Sequence, residues 1–92
     1  MDKSALGFVE TRGNTGTVQA IDAMLKAANV EYVKRVEIGG GFVTAIVRGE
    51  VGAVKASVEA GANAAARVGE LVCTNIIASA HEEVFQQMDQ VK

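Results

Sequence analysis

Residues 36–50 read VEIGGGFVTAIVRGE, three consecutive glycines set between two runs rich in β-branched residues. Two such runs with glycines between them predict a hairpin, with positive φ in its loop. Turn chemistry asks for one or two glycines, so the third of Gly39, Gly40 and Gly41 needs a further reason. Lack of a Cβ also lets backbones crowd together. The sequence by itself leaves a loose turn and a crowded axis equally open.

Working outward from the hairpin, NVEYVKRVEIG and FVTAIVRGE are its strands, and ALGFVET (residues 5–11) is an earlier one. Leu6 and Phe8 fall on one face of that first strand, opposite Gly7, Val9 and Thr11. In the second strand, strict alternation sets Val30, Tyr32, Lys34 and Val36 against Glu31, Val33, Arg35 and Glu37. RGNTG breaks the first strand, and Asn14 or Thr15 is the expected cap of a helix running to about Asn29, with Val18, Ile21, Leu25 and Ala28 as its buried stripe. A second helix is predicted over residues 50–68, with Val51, Val54, Val58, Ala62 and Ala65 inward. GELVCTNIIA supplies a fourth strand, and HEEVFQQMDQVK a short amphipathic terminal helix. The order strand, helix, strand, strand, helix, strand is the split βαβ pattern of an α+β, ferredoxin-like fold, with a short C-terminal helix appended. Residues 1–92 are expected to form one domain.

Composition bounds the function. A 92-residue monomer buries only about 60 to 65 % of the surface its unfolded chain exposes, so oligomerisation is favoured. Half the residues are hydrophobic (49%) but only 4% are aromatic, which calls for a core packed closely from small side chains. The formal net charge of −2 lacks a basic footprint, and the central strands lack stacking aromatics; nucleic acid is not an expected partner. No apolar run approaches the roughly 20 residues of a membrane span. One cysteine and no leader-like segment point to the cytosol.

Little chemistry is encoded. His81 is the lone histidine and has no companions at metal-ligand spacing, so no metal or cofactor is expected. Cys73 in mid-strand reads as a small buried hydrophobe. The glycine triplet lacks the lysine and hydroxyl of a phosphate loop and leads into a strand. Arg12, Gly13 and Asn14 offer raw material for the anion loop of a small phosphatase, yet a strand-to-helix turn explains them more simply. No catalytic residue is assigned.

ALGFVETRG, AIDAMLKAANV, IGGGFVTAIVRGEVGAVKASVEAGANAAARVGELV and IIASAH, spread over residues 5–81, closely resemble the single-domain, hexamer-forming shell proteins of bacterial microcompartments. These are the polyhedral protein bodies that enclose carbon-fixation or aldehyde-producing pathways. The resemblance implies a cyclic homohexamer located in a shell within the bacterial cytoplasm, tiling edge to edge into facets beside other shell proteins and over encapsulated enzymes. It also implies a narrow pore on the six-fold axis, lined by Ile38, Gly39, Gly40 and Gly41 and passing small polar metabolites. Many relatives carry Gly-Ser-Gly there and lysine where this chain has Glu37, so six copies of Glu37 are expected to make the mouth negative. Lys26 matches the edge lysine that meets its mate between hexamers, and Asn29 and His81 belong to the same edge. Ser79 stands where relatives place an arginine within Pro-Arg-Pro-His, which implies weaker or differently angled tiling. The competing expectation is an oligomeric regulatory domain of the same fold that binds a small molecule between subunits.

Overall fold

The computed structural model describes residues 5–78. The predicted terminal helix, with Val84, Phe85 and Met88, and the positions of Ser79 and His81 therefore lie outside the described residues. Six elements follow in order: β1 (Ala5–Arg12), α1 (Asn14–Ala27), β2 (Glu31–Gly39), β3 (Phe42–Gly49), α2 (Val51–Arg67) and β4 (Leu71–Ile77). The strands form one antiparallel sheet in the order β2-β3-β1-β4, so the chain is α+β with β1 and β3 central.

Alternation along the central strands builds two apolar layers. Ala5 and Val9 of β1 and Ala45 and Val47 of β3 pack beneath the helices with Ala20, Met24, Val54, Val58 and Ala65. On the other face, Leu6 and Ile46 are buried with Phe8, Val33 and Val36 packed against them. With apolar residues on both faces, β1 and β3 read as nearly continuous hydrophobic runs.

The core accommodates close approach more than bulk. A Cβ added at Gly7 would sit 2.6 Å from Val58 Cγ2 and 2.8 Å from Val54 Cγ1, so α2 lies directly on β1. A Cβ at Gly61 would come within 2.6 Å of Met24 Cγ and 3.3 Å of the Ala20 carbonyl, so α2 lies equally close on α1. The Ser57 hydroxyl donates to the Met24 carbonyl (3.0 Å) across the same contact. Among the described residues no buried side-chain polar atom lacks a partner.

This closeness corrects the predicted face of α1. Its buried residues are Gly16, Thr17, Ala20 and Met24, whereas Val18 and Leu25 are 54% and 44% exposed. The buried stripe is thus turned toward Thr17, Ala20 and Met24, while Ile21 stays half-buried against the core as expected. Small residues let the two helix backbones meet, and the larger side chains are left on the flank. In α2, Val54, Val58 and Ala65 are buried as expected and joined by Ser57, Gly61 and Ala64, but Val51 is exposed and Ala62 only half-buried.

Strict alternation also fails in β2. The register shifts between Tyr32 and Lys34, leaving Val33 as an extra residue opposite β3. Val33 and Val36 consequently share the open face with Leu6 and Ile46, while Arg35 and Glu37 pair with Ala45 and Val43 on the helix side. Two further shifts skip Ile38, between Glu37 and Gly39 of β2, and Val72, where β4 pairs with Glu10 and Thr11 of β1.

Gly7→Ala forces a methyl against two β-branched side chains that cannot swing away. Urea denaturation is expected to show a loss of roughly 1–3 kcal/mol, although alanine suits a strand no worse than glycine.

Candidate functional site

The three glycines occupy the β2–β3 tip, where all of them have positive φ: 103° at Gly39, 65° at Gly40 and 85° at Gly41. An L-residue is strained in this region, so the turn itself uses the third glycine, contrary to the expectation that one or two suffice. Nothing lies within 4 Å of where a Cβ would stand on Gly39 or Gly41. Ile38, just before them, is 62% exposed. The tip thus presents bare backbone beside one unprotected aliphatic side chain.

Its base is fastened to the turn between β1 and α1. The Gly13 amide donates to the Gly41 carbonyl at 2.8 Å. The Gly13 carbonyl in turn accepts from the Thr17 hydroxyl (3.1 Å) and the Thr11 hydroxyl (3.3 Å), and these two hydroxyls are 2.6 Å apart. Gly13, at φ 110°, is the N-cap of α1 and supplies no side-chain cap.

The predicted capping by Asn14 or Thr15 is therefore replaced. The cap comes from Glu70, in the turn before β4: its Oε1 accepts from the Gly16 amide, and its carbonyl accepts from the Arg12 amide at 2.8 Å. A carboxylate suits the positive end of α1. It also fills the place where an external anion would have to bind, and Arg12 lies over the Phe42 ring, 5.8 Å from its centroid, so the 12–14 segment is a turn rather than an anion loop. No signal within the α1 sequence points to Glu70, because its role depends on a contact 54 residues away.

Asn14 is engaged elsewhere. Its Oδ1 accepts from Arg35 Nη2 on β2, and the same nitrogen lies 3.5 Å from Glu37 Oε2. Glu37 is therefore paired, a partner that sequence spacing did not reveal.

Lys26 lies in the last turn of α1, about 18 Å along the helix from Asn14, and Asn29 follows two residues past the helix end. Lys26 is exposed and pairs with Asp22 one turn earlier (3.0 Å); Asn29 is also exposed. The two groups of predicted residues are thus held apart by the length of a helix instead of being brought together.

Cys73 is exposed, against the expectation of a buried thiol, because β4 is an edge strand. Its thiol donates to Glu10 Oε1 at 3.4 Å. That hydrogen bond, with slight burial and the carboxylate's charge, raises the thiol's pKa above its ordinary value. No group of three or more potential metal ligands occurs among the described residues.

A family model described as the BMC domain matches residues 5–80. The chain belongs to the BMC-domain family of microcompartment shell proteins. This BMC-domain chain is 57% identical over 81 residues to the carboxysome shell protein CsoS1A of Hydrogenovibrio crunogenus, covering 87% of itself and 84% of that protein. To the bacterial microcompartment shell protein PduA of Citrobacter freundii it is 52% identical over 84 residues, covering 91% and 90%. The probable carboxysome shell protein CsoS1E of Prochlorococcus marinus is 56% identical over 81 residues, and there the chain spans only 40% of the longer protein. A microcompartment protein of Desulfitobacterium hafniense has the same fold, with a TM-score of 0.85 at 30% identity over 96% of this chain and 48% of that one. The BMC-domain chain thus spans about half of that solved structure.

Two outcomes follow from the site. Glu70→Ala leaves the first turn of α1 uncapped and is expected to lower unfolding stability by about 1–2 kcal/mol, with Glu70→Gln losing less. Glu10→Ala removes the hydrogen bond and the charge that hold the proton on Cys73, so alkylation by iodoacetamide at pH 8 is expected to be faster than in the wild type.

Proposed function

We propose that this chain is a wall subunit of a bacterial microcompartment, that six copies close into a ring, and that the 38–41 tips converge on the ring's axis to leave a narrow opening. The observation that carries this reading is the tip itself: three successive positive-φ glycines, the outer two with open space where a side chain would stand, on a hairpin whose base is pinned to the start of α1. Bare amides and carbonyls around an axis can hydrogen-bond a passing polar solute and still admit it, whereas bulky cofactors are held back by size. Ring closure also supplies a covering for the apolar side chains left at the margins of the single chain, Val18, Leu25, Leu71, Val72 and Ile77 among them.

The shell role is structural, and the relatives are named as shell proteins rather than enzymes. Partners of the ring are further copies, other shell proteins of the same compartment and the enzymes it encloses; solutes in transit are small polar metabolites. Lys26 and Asn29, at the opposite end of α1 from the tip, belong to the outer edge where rings meet. An oligomeric regulatory domain of the same fold would instead bind a defined stoichiometric ligand between subunits and form no extended sheets.

Native mass spectrometry is expected to give six times the chain mass, and negative-stain microscopy a six-fold particle that tiles. Solitary chains, or a ring centred on another segment, would overturn the reading. Lys26→Asp is expected to preserve the native mass and abolish the sheets.

A further inference from the structure

A solute approaching the tips meets charge before it meets bare backbone. Glu37 is the nearest carboxylate in sequence, and taken alone it would place a negative charge from every copy around the opening. Arg35 alters that sum. The two residues are separated by one position on an extended strand and pair with neighbours on the helix side of β3, so both side chains project toward the first turn of α1. There Asn14 Oδ1 holds the guanidinium, whose Nη2 stands 3.5 Å from Glu37 Oε2. The Arg35 side chain is 32% exposed against 73% for Glu37, which makes the arginine the anchored member and the carboxylate the free arm. Arg12, opposite Phe42 on the other face of the sheet, does not enter the pair.

An exposed ion pair of this kind adds little to stability. Its effect on a solute is another matter, because the potential near a narrow opening follows the summed charge around it. We propose that Arg35 is a specificity-determining residue of the opening: anchored by Asn14, its guanidinium offsets Glu37 in every copy and keeps the mouth from excluding anions. This inference depends on the 38–41 tips lining an opening, as read above. The mouth of this chain is then set by a pair of strand residues, and removing either charge drives its preference in a direction opposite to the other.

Sheets of the purified protein sealed over a nanometre-scale aperture between two KCl solutions provide the test, with the zero-current potential reporting the chloride-to-potassium permeability ratio. At about 10 mM salt the screening length is about 30 Å. Arg35→Gln is expected to lower the ratio about tenfold and Glu37→Gln to raise it; the double variant returns close to wild type, and Arg35→Lys, which keeps the charge, stays within about twofold of it. Asn14→Ala, which frees the guanidinium without changing any charge, shifts the ratio in the Arg35→Gln direction by a smaller amount, and serves where Arg35→Gln does not assemble. A ratio moved by Glu37→Gln but not by Arg35→Gln or Asn14→Ala would overturn the role of Arg35 and leave the opening intact. Sheets of wild type that carry no current would overturn the opening itself, and the assignment of Arg35 with it.

Discussion

One backbone hydrogen bond, from the Gly13 amide to the Gly41 carbonyl, joins two parts of this chain that are far apart in sequence: the turn between β1 and α1, and the tip between β2 and β3. Its donor belongs to a residue whose own carbonyl is fixed by two threonine hydroxyls, one on β1 and one on α1. Removing side chains from a loop normally buys freedom at the expense of order. Here the freedom is confined, since the glycine-rich tip is tied at its base to a turn that is itself held from both sides. The backbone that faces outward at residues 39–41 is accordingly a positioned surface.

A second constraint runs through the helix layer. Gly7 and Gly61 mark the places where α2 lies against β1 and against α1, and alanine, serine and methionine fill the little space that remains. Because the inner contact is made by small residues, valine and leucine side chains are displaced to the outside of α1. In a monomeric protein this would be poor use of apolar surface. In a chain that belongs to a family of wall-forming proteins, the same displacement furnishes material for contact between subunits.

The order of elements could be read from the sequence because its breaks are sharp: glycine clusters at 39–41, a turn at 12–14 and period-two alternation in β1 and β3. What failed was finer. Hydrophobicity ranks Val18 and Leu25 above Thr17 and Ala20 as inward residues of α1, and only the proximity of α2 reverses that ranking, with Ile21 keeping its place against the core. Alternation in β2 was extrapolated through Val33, where an inserted residue shifts the face of all that follows. At the site, Glu37 and the glycines were legible as a local motif. Arg35, Asn14 and Glu70 act through contacts between elements, and spacing along a chain carries no record of those. Cys73 was misjudged for a related reason, since whether a strand lies at an edge is a property of the sheet order.

The succession of left-handed backbone angles at the tip has a bearing on how this protein can vary. Replacements at Gly39 and Gly41 must adopt a conformation that only glycine accepts readily, whereas Gly40, at φ 65°, lies in the left-handed region that other residues enter at modest cost, so the backbone contour of the tip persists even where its centre takes a small side chain. Arg35 and Glu37, four and two positions before Gly39, occupy extended backbone that tolerates most residue types. Shape and electrostatic character are therefore inherited separately here: a lineage can exchange one charge for another on the strand while the contour beyond it passes unchanged from one descendant to the next.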